Sequence, residues 1–391
     1  MSNTHRCWLT RRPLPCNAHV KTRLAIALVS MVLPACAATT ANERVVLERV
    51  RDGGLQPQAI TDSQGVTHIV YLKGDAWHAD VYYVRRAIDG TYSRPARVND
   101  RKGSAIAIAS VRGAQLALGR NGRVHVVWNG SSQPGRLWYS RQNDGHDTFE
   151  PQRDLITWGT GLDGGGTIAA DGSGRVFVAW RGNPAGRSDA AGGVFVSDSN
   201  DDGRTFSRER RVDSGDLGAC ACCAMRAGVD RQGAVYLLYR AATRDIDRDA
   251  VLLSSTDGGK TFSSTTADRW RLQSCPLSTA FLTRGPSGMM AAWETAGQVT
   301  FGPIVSGAVA SRTAAPGRGR RKHPVMAFNA TGAMLFAWLE GTAWQRGGSV
   351  AWQVYDAQGR PTSDRGIEPG VPVWGLAAAA TLPDGRFLLL Y

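Results

Sequence analysis

The chain has 391 residues, and its 46 Lys and Arg residues outnumber its 33 Asp and Glu, for a formal net charge of +13. The basic residues are spread along the chain apart from RGRRKH (318–323), so the sequence has neither a basic stripe nor a nucleic-acid-binding motif. We therefore expect no nucleic-acid partner. A positive surface suits acidic ligands, including anionic glycans and lipid head groups, or is simply a solvated basic face.

Residues 1–36 have the parts of an export signal. Five basic and no acidic residues in 1–23 precede an apolar run, LAIALVSMVLPAC, and then the small-residue run AATTA. The apolar run is shorter than the roughly 20 residues of a membrane span. LPAC resembles a lipobox ending at Cys36, whereas ACA (35–37) fits ordinary signal peptidase. The mature protein is therefore expected to be exported, either lipid-anchored to the bacterial envelope or free in the periplasm or medium.

Seven segments repeat a polar turn, a glycine and an apolar run that ends in an aromatic residue. The aromatic residues, 45 to 59 positions apart, are Tyr71, Trp128, Trp180, Tyr239, Trp293, Trp338 and Tyr391. A run of small residues precedes each segment, and no long window has a 3.6-residue period, so the pattern indicates strand, tight turn, strand. All-β content at this interval predicts one β-propeller over residues 43–391, built from four-stranded antiparallel blades.

The repeat number predicts seven blades, with six blades and an accessory hairpin as the alternative. The last repeat stops after its second strand, at Tyr391. RVVLERV (44–50) is expected to close the ring by joining that last blade, which would still be one strand short.

A second motif lies between the repeats: SNDDGRTF (199–206) and STDGGKTF (255–262), with eroded copies at 143–149 and 88–92. It resembles the Asp-box, or BNR, repeat of the sialidase superfamily, S-x-D-x-G-x-T-F/W. In such a turn the Asp carboxylate accepts backbone N–H groups, Gly supplies a positive φ, and the Thr hydroxyl closes the loop. The aromatic residue then packs between neighbouring sheets. The resemblance implies that the box joins the third and fourth strands, on the face away from the functional site.

Strand direction predicts which residues reach the other face, here called the top. The first strand of each blade starts there and the second returns there. Second strands end at the top with Asn129, Arg181, Arg240, Glu294 and Glu340. First strands begin at the top near Asp163, Cys220, Cys222, Cys223, Cys275, His323 and Trp374.

The mature chain keeps four cysteines, three of them in CACC (220–223), and three interpretations stay open. Disulfides fit an exported protein, with Cys275 joined to one member of the cluster and a second bond among the others. A thiolate metal site, with His323 as a further ligand, would favour Cu(I) or a structural Zn(II). Reactive thiols are the third interpretation.

The stretch from 220 to 324 also resembles one branch of exported sialidase-like propellers. The shared features, in order, are CACC, Tyr239-Arg240, Arg248-Asp249, STDGGKTF, DRW (268–270), SCP (274–276) and His323-Pro324. This chain has CPLS where that branch commonly has a histidine after Cys-Pro, which weakens the metal interpretation.

If the chain is an enzyme, the resemblance implies an exo-sialidase or another glycoside hydrolase. Sialidases clamp a carboxylate with three arginines, and Arg181 and Arg240 are candidates for two of them. Glu294, Glu340 and Asp163 are candidate catalytic carboxylates. LQPQAI (55–60) stands where the superfamily's R-I-P motif is expected, and no tyrosine is an obvious nucleophile. Two hypotheses follow: a monomeric propeller that hydrolyses or binds glycans, and a non-catalytic propeller whose cysteine cluster holds a metal or forms a partner-binding surface.

Overall fold

The computed structural model describes residues 44–131, 135–157, 162–183 and 188–391. In these residues the chain forms seven β-sheets arranged as the blades of a propeller. No helix in this described part is long and apolar enough to cross a membrane. The predicted export signal, residues 1–36, lies outside the described residues.

The strands follow one another blade by blade along the chain. Blade one contains β2 (Leu55–Thr61), β3 (Thr67–Gly74), β4 (Ala79–Arg86) and β5 (Ala96–Arg97). Blade two contains β6 (Gln115–Leu118), β7 (Val124–Asn129), β8 (Leu137–Arg141) and β9 (Arg153–Asp154). Blade three contains β10 (Thr167–Ala170), β11 (Val176–Gly182), β12 (Gly193–Ser199) and β13 (Arg210–Arg211). Blade four contains β14 (Arg226–Val229), β15 (Val235–Arg240), β16 (Ala250–Ser255) and β17 (Ser263–Asp268).

The remaining blades vary more in their outer strands. Blade five contains β18 (Phe281–Gly285), β19 (Gly288–Thr295), β20 (Gln298–Val305), β21 (Ala308–Val309) and β22 (Thr313–Ala314). Both β21 and β22 pair with β20, so two short strands share the fourth position. Blade six contains β23 (Arg321–Phe328), β24 (Met334–Glu340), β25 (Gly348–Tyr355) and β26 (Pro361–Val371). Short 3-10 helices occupy connecting segments: Arg51–Gly53, Ile108–Ser110, Arg120–Gly122 and Asp189–Ala191.

Blade seven closes the ring with both ends of the described chain. It consists of β27 (Ala378–Thr381), β28 (Phe387–Leu390) and, on the outside, β1 (Val45–Glu48). β1 pairs with β28 in parallel, whereas β27 and β28 are antiparallel. The predicted seven-blade count and the predicted closing strand are therefore confirmed, and this blade has three strands in the described residues.

The first strand of every blade lies innermost, as predicted from its small residues. These strands contact one another around the ring in the order β2, β6, β10, β14, β18, β23, β27 and back to β2. The aromatic residue that ends each repeat is buried between two blades, which remove it from water on both sides. Burying this apolar surface stabilises the fold. The aromatic positions predicted from the repeat are thus core positions.

The two clean Asp-box segments form the predicted turns between third and fourth strands. Asp201 accepts hydrogen bonds from Thr205 N (2.8 Å), Thr205 Oγ1 (2.6 Å) and Ser199 Oγ (2.7 Å). Asp257 makes the same three contacts with Thr261 and Ser255. The side chain of Phe206 packs edge-on against Tyr139 of the preceding blade, with ring centroids 4.8 Å apart. These residues stabilise the turns and the contact between blades.

Asp202, beside Asp201, also connects blade three to blade two. It has a left-handed φ of 59°, and its carboxylate accepts from Arg123 Nε (2.6 Å), Arg120 N (3.0 Å) and His125 Nε2 (3.3 Å). STDGGKTF has Gly258 at the equivalent place, where φ is 77°. The bottom of the propeller is therefore held by an ion pair that only one of the two clean motifs carries.

Candidate functional site

The residues predicted for the top face lie at strand ends that meet at one end of the ring, but most of them are buried. Asp163 is half-exposed, Cys275 is exposed, and Glu340 and Trp374 are partly exposed. The others are buried: Asn129, Arg181, Cys220, Cys222, Cys223, Arg240, Glu294 and His323. The top of the propeller thus has a polar interior beneath its surface, in addition to an open pocket.

The cysteine cluster brings three sulfur atoms together at the start of blade four. Cys220 Sγ lies 2.9 Å from Cys223 Sγ and 3.5 Å from Cys222 Sγ, and the three atoms are all within 4.8 Å of one another. A disulfide requires about 2.05 Å, and all four cysteines of the described residues are free thiols. The predicted disulfides are therefore absent among these residues, and the exposed Cys275 lies outside the cluster.

The surroundings of Cys223 favour its ionised form. Burial opposes the charge, but hydrogen bonds from Cys220 and Cys222, the nearby charge of Arg240 and the Ser278 hydroxyl hold the pKa of Cys223 well below its ordinary value. The hydrogen bonds of Cys222 with Cys220 and Cys223, together with burial, raise the pKa of Cys222. Of the three thiols, Cys223 is therefore the one most easily ionised, and a thiol must lose its proton to bind a metal ion.

Arg240 lies beside the cluster at the end of β15, where its backbone O accepts from Cys220 N at 2.9 Å. Its Nη1 donates to Arg248 O at 2.7 Å, its Nη2 donates to Glu294 O, and its Nε lies 3.4 Å from Ser278 Oγ. The guanidinium also lies over the Trp270 ring, 5.1 Å from its centroid. Each guanidinium nitrogen thus already donates to the protein, and this supports a positioning role better than a clamp for a ligand carboxylate.

Arg181 is held in a similar way on the other side of the cluster. Its Nε lies 3.3 Å from Ala219 O, and its Nη2 lies 3.3 Å from Asp189 Oδ1. Asp189 Oδ2 also accepts from Arg248 Nη1 at 2.9 Å. Asp189 therefore joins two buried arginines that flank the cysteines.

Glu294 and Glu340 occupy equivalent strand ends but differ in their surroundings. Burial raises the pKa of Glu294 to about 7, and the charges of Lys322 and Arg240 offset only part of that effect. Its Oε2 is buried without a hydrogen-bond partner in the described residues and lies 4.0 Å from Lys322 Nζ. Glu340 instead accepts from Arg321 Nε at 3.0 Å and from Trp338 Nε1 at 2.8 Å. Of the two, only Glu294 belongs to the buried group around Cys223.

His323 also lies in this interior. Its Nδ1 is 3.3 Å from Thr279 Oγ1, and its backbone has a left-handed φ of 55° where β23 is bulged. Burial, followed by the charge of Lys322, lowers the pKa of His323 to about 3. The imidazole is therefore neutral at physiological pH, but His323 is not one of the three residues whose ligand atoms converge.

Apolar residues from five blades pack together over the propeller axis, and we call them the top plug. They are Ala76, Ile106, Ile108, Ala109, Val111, Ala224, Leu277 and Trp374. Leu277 also packs against the cysteine cluster. Because these residues come from blades on opposite sides of the ring, the top plug crosses the propeller axis.

An open pocket lies on the top face beside this plug, with a volume of about 170 Å³. It is bounded by Trp77 and Trp344, which are 58% and 54% exposed, and by the ion pair of Arg112 with Asp163. The Asp163 side chain is 48% exposed. Asn129 lines the pocket, but its side-chain amide is already hydrogen-bonded within the protein. Its Nδ2 donates to Gly164 O at 2.8 Å, and its Oδ1 accepts from Gly166 N at 3.1 Å.

Trp77, Trp344 and Arg112 are not among the residues predicted from the sequence. Trp77 and Trp344 lie in loops between second and third strands, which topology also places at the top. The residues predicted for the top face are only those directly after each aromatic residue and at the start of each blade. Applying the same rule to whole loops would have found both tryptophans, whereas Arg112 becomes apparent only through its contact with Asp163.

No protein-family model matches the sequence. No curated protein matches it either.

Comparison with solved structures finds proteins of similar fold. A protein of unknown function from Dyadobacter fermentans has a TM-score of 0.54 and 14% identity, over 79% of this chain and 96% of that one. The Penicillium chrysogenum α-L-arabinanase has a TM-score of 0.52 and 11% identity, over 80% and 95%. The Hadza microbial sialidase Hz136 has a TM-score of 0.49 and 14% identity, over 78% and 70%. The chain thus has the β-propeller fold that its sequence predicted.

Proposed function

We propose that this propeller binds glycans in the open pocket of its top face. The observation that carries the proposal is the pair of exposed tryptophans, Trp77 and Trp344, beside the Arg112–Asp163 ion pair. A large exposed aromatic side chain has an apolar face and a polar edge. A sugar ring also combines an apolar face with polar hydroxyl groups, so the two surfaces match. Concave sites with a few polar groups are the usual binding sites of proteins.

The chemistry of the pocket supports binding more directly than hydrolysis. Glycoside hydrolysis normally uses two carboxylates on either side of the scissile bond. Asp163 is the only acidic side chain among the described residues that line the pocket. The other candidate catalytic carboxylates do not line the pocket: Glu294 is buried, and Glu340 makes an ion pair with Arg321. The arabinanase and the sialidase named above act on glycans, which supports the ligand class but not a shared mechanism.

The test is calorimetric titration with arabino-oligosaccharides and sialyllactose, together with an assay for released sugar. We expect binding by the wild type and at least tenfold weaker binding by the W77A/W344A double variant. I367A is the matched control, since Ile367 is a large exposed apolar residue on the outer strand of blade six. The proposal would be contradicted if the wild type bound neither the arabino-oligosaccharides nor sialyllactose, or if W77A/W344A bound them as tightly as the wild type.

A second candidate function, a copper centre, is favoured by the geometry of Cys220, Cys222 and Cys223. Three buried sulfur ligands converge there, one of them predisposed to be a thiolate. Structural zinc sites are normally closed by four ligands, whereas soft thiolates select Cu(I). Among the described residues, no fourth His, Cys, Asp or Glu joins the three cysteines. Because a structural zinc site needs a fourth ligand, the three-cysteine group favours Cu(I) over Zn(II).

Titration with Cu(I) against a chromogenic chelator tests this second function. We expect one Cu(I) per chain, lost in C222S and retained in C275S. Retention of Cu(I) by C222S, or no binding by the wild type, would remove the cluster as a copper site.

We also propose that the protein is exported, on the pattern of residues 1–36. Cell fractionation with a Cys36→Ala variant would distinguish lipid anchoring from release, since only the lipidated form requires Cys36.

A further inference from the structure

The inner strands enclose a chamber along the propeller axis, with a volume of about 840 Å³. Its walls are mostly small and apolar, as at Ala59, Ala117, Ala169, Ala227 and Ala379. Residues 62–65 and 383–385, in the bottom loops between first and second strands, surround its open end. At the opposite end the chamber adjoins a small cavity that is lined in part by Val111 and Ala224 of the top plug.

Arg226 lies across the upper end of this chamber. It begins β14 in blade four, its Nη1 donates to Gln115 Oε1 in blade two, and its guanidinium lies 4.8 Å from the ring centroid of Phe281 in blade five. It also lines a small cavity of about 30 Å³ above the chamber, together with Gln56 and Thr279. The charged group therefore spans the axis and forms part of the chamber's end wall.

The charge of Arg226 has no counter-ion in the described part of the chain. No carboxylate there makes an ion pair with it, and its Nε is buried without an acceptor. Burial lowers the pKa of Arg226 to about 10, which leaves it positively charged at neutral pH. The Arg226 side chain is half-buried, and withdrawing an unpaired cation from water is costly, so that such charges in proteins are usually paired.

The charged groups at the open end do not supply that counter-ion. The Asp62 carboxylate is already hydrogen-bonded to His68 Nε2 at 3.1 Å and to the backbone N–H groups of Gln64 and Val66, both at 2.9 Å. Arg284 donates to Val229 O at 2.6 Å. The chamber thus combines apolar walls with a cationic inner end.

We propose that the chamber binds a small organic carboxylate with an apolar tail, with the carboxylate at Arg226 and the tail along the alanine-lined walls. Arginine holds a carboxylate through paired hydrogen bonds, and pockets of roughly 300–1,000 Å³ with apolar walls and few polar groups are typical of small-molecule sites. This site is separate from the top-face pocket and does not depend on glycan binding.

The proposal can be tested on the wild-type protein with two probes of one chain length at constant ionic strength: octanoate and octylamine. Calorimetry and thermal unfolding should show that octanoate binds and raises Tm, whereas octylamine does not bind. Inorganic phosphate at the same concentration should raise Tm less than octanoate. Equal effects of phosphate and octanoate would overturn the apolar part of the proposal, and equal binding of octylamine would overturn the role of the cation.

Variants at Arg226 locate the site. We expect Arg226→Gln to weaken octanoate binding at least tenfold, Arg226→Lys to retain a measurable part of it, and Arg365→Gln to leave it unchanged. Arg365 is the control because it is exposed on the outer strand of blade six. Unchanged octanoate binding in Arg226→Gln would overturn the proposal. If Arg226→Gln does not fold, the comparison of octanoate with octylamine on the wild type still decides it.

Discussion

The carboxylate of Glu294 lies 4.0 Å from the ammonium group of Lys322, yet burial keeps the pKa of Glu294 near 7. In the unfolded chain the same group titrates at its usual value of 4.5. Below about pH 4.5 the carboxyl is protonated in both states and its contribution to stability is complete. As pH rises toward 7 only the unfolded state ionises, so about 3 kcal/mol of stability is lost across that interval.

The matching variant is Glu294→Gln, which stays neutral. We expect urea unfolding at pH 5 and pH 8 to show a fall in the free energy of unfolding of the wild type that is largely absent in Glu294→Gln. Glu340→Gln is the control at the equivalent strand end of the next blade. Parallel pH profiles for the wild type and Glu294→Gln would show that Glu294 is not the buried titrating group.

Asp202 is expected to be a main stabilising residue of the bottom face. Its replacement leaves Arg123 without one of its carboxylate partners, and breaking a buried ion pair of this kind costs about 3 kcal/mol. Asp202→Gly keeps the left-handed backbone found at Gly258, whereas Asp202→Ala adds backbone strain of about 1 kcal/mol. Chemical denaturation should therefore rank the wild type above Asp202→Gly and Asp202→Gly above Asp202→Ala. A free energy of unfolding for Asp202→Gly within error of the wild type would contradict the assignment.

The four cysteines of the propeller should differ sharply in reactivity. Cys275 is exposed, whereas the three cysteines of the cluster are buried. In protein lacking residues 1–36, an aromatic disulfide reagent should modify one thiol rapidly and the others only on unfolding, since buried thiols are protected from attack. Cys275→Ser should abolish the rapid phase. Its persistence in that variant would mean that the cluster opens to solvent in the native state.

Glu48 should stabilise the closure of the ring. It accepts from Arg86 Nε at 3.1 Å, from Arg86 Nη2 at 3.0 Å and from Tyr92 Oη, and so attaches β1 to blade one. Charged hydrogen bonds of this kind contribute about 1.5–3 kcal/mol each. Glu48→Ala should lower Tm and speed amide exchange in β1 before the inner strands are affected. Uniform exchange through all blades would show instead that the ring opens as one unit.

The fold was predictable because the repeat appears directly in local sequence. The buried aromatic residue of each second strand and the glycine turn before it recur at blade spacing, and each reflects a local physical requirement. The site was less predictable. The strand order indicated that Arg240 and Glu294 lie at one end of the ring. The sequence could not show that the Arg240 guanidinium donates its hydrogen bonds to backbone carbonyl groups, or that Glu294 is buried. Arg226 was missed because a lone arginine at the start of a strand has no sequence signature.

The pairing of β1 with β28 has a consequence for how the chain is made. The first strand of the propeller has its partner at residues 387–390, so translation must reach those residues before the ring can form. Contacts between such distant segments are slow to form, because a long loop must close before they stabilise anything. Until then the blades can form only an open arc, in which β1 is left as an unpaired strand edge. Such edges are the kind of surface that chaperones protect until synthesis is complete.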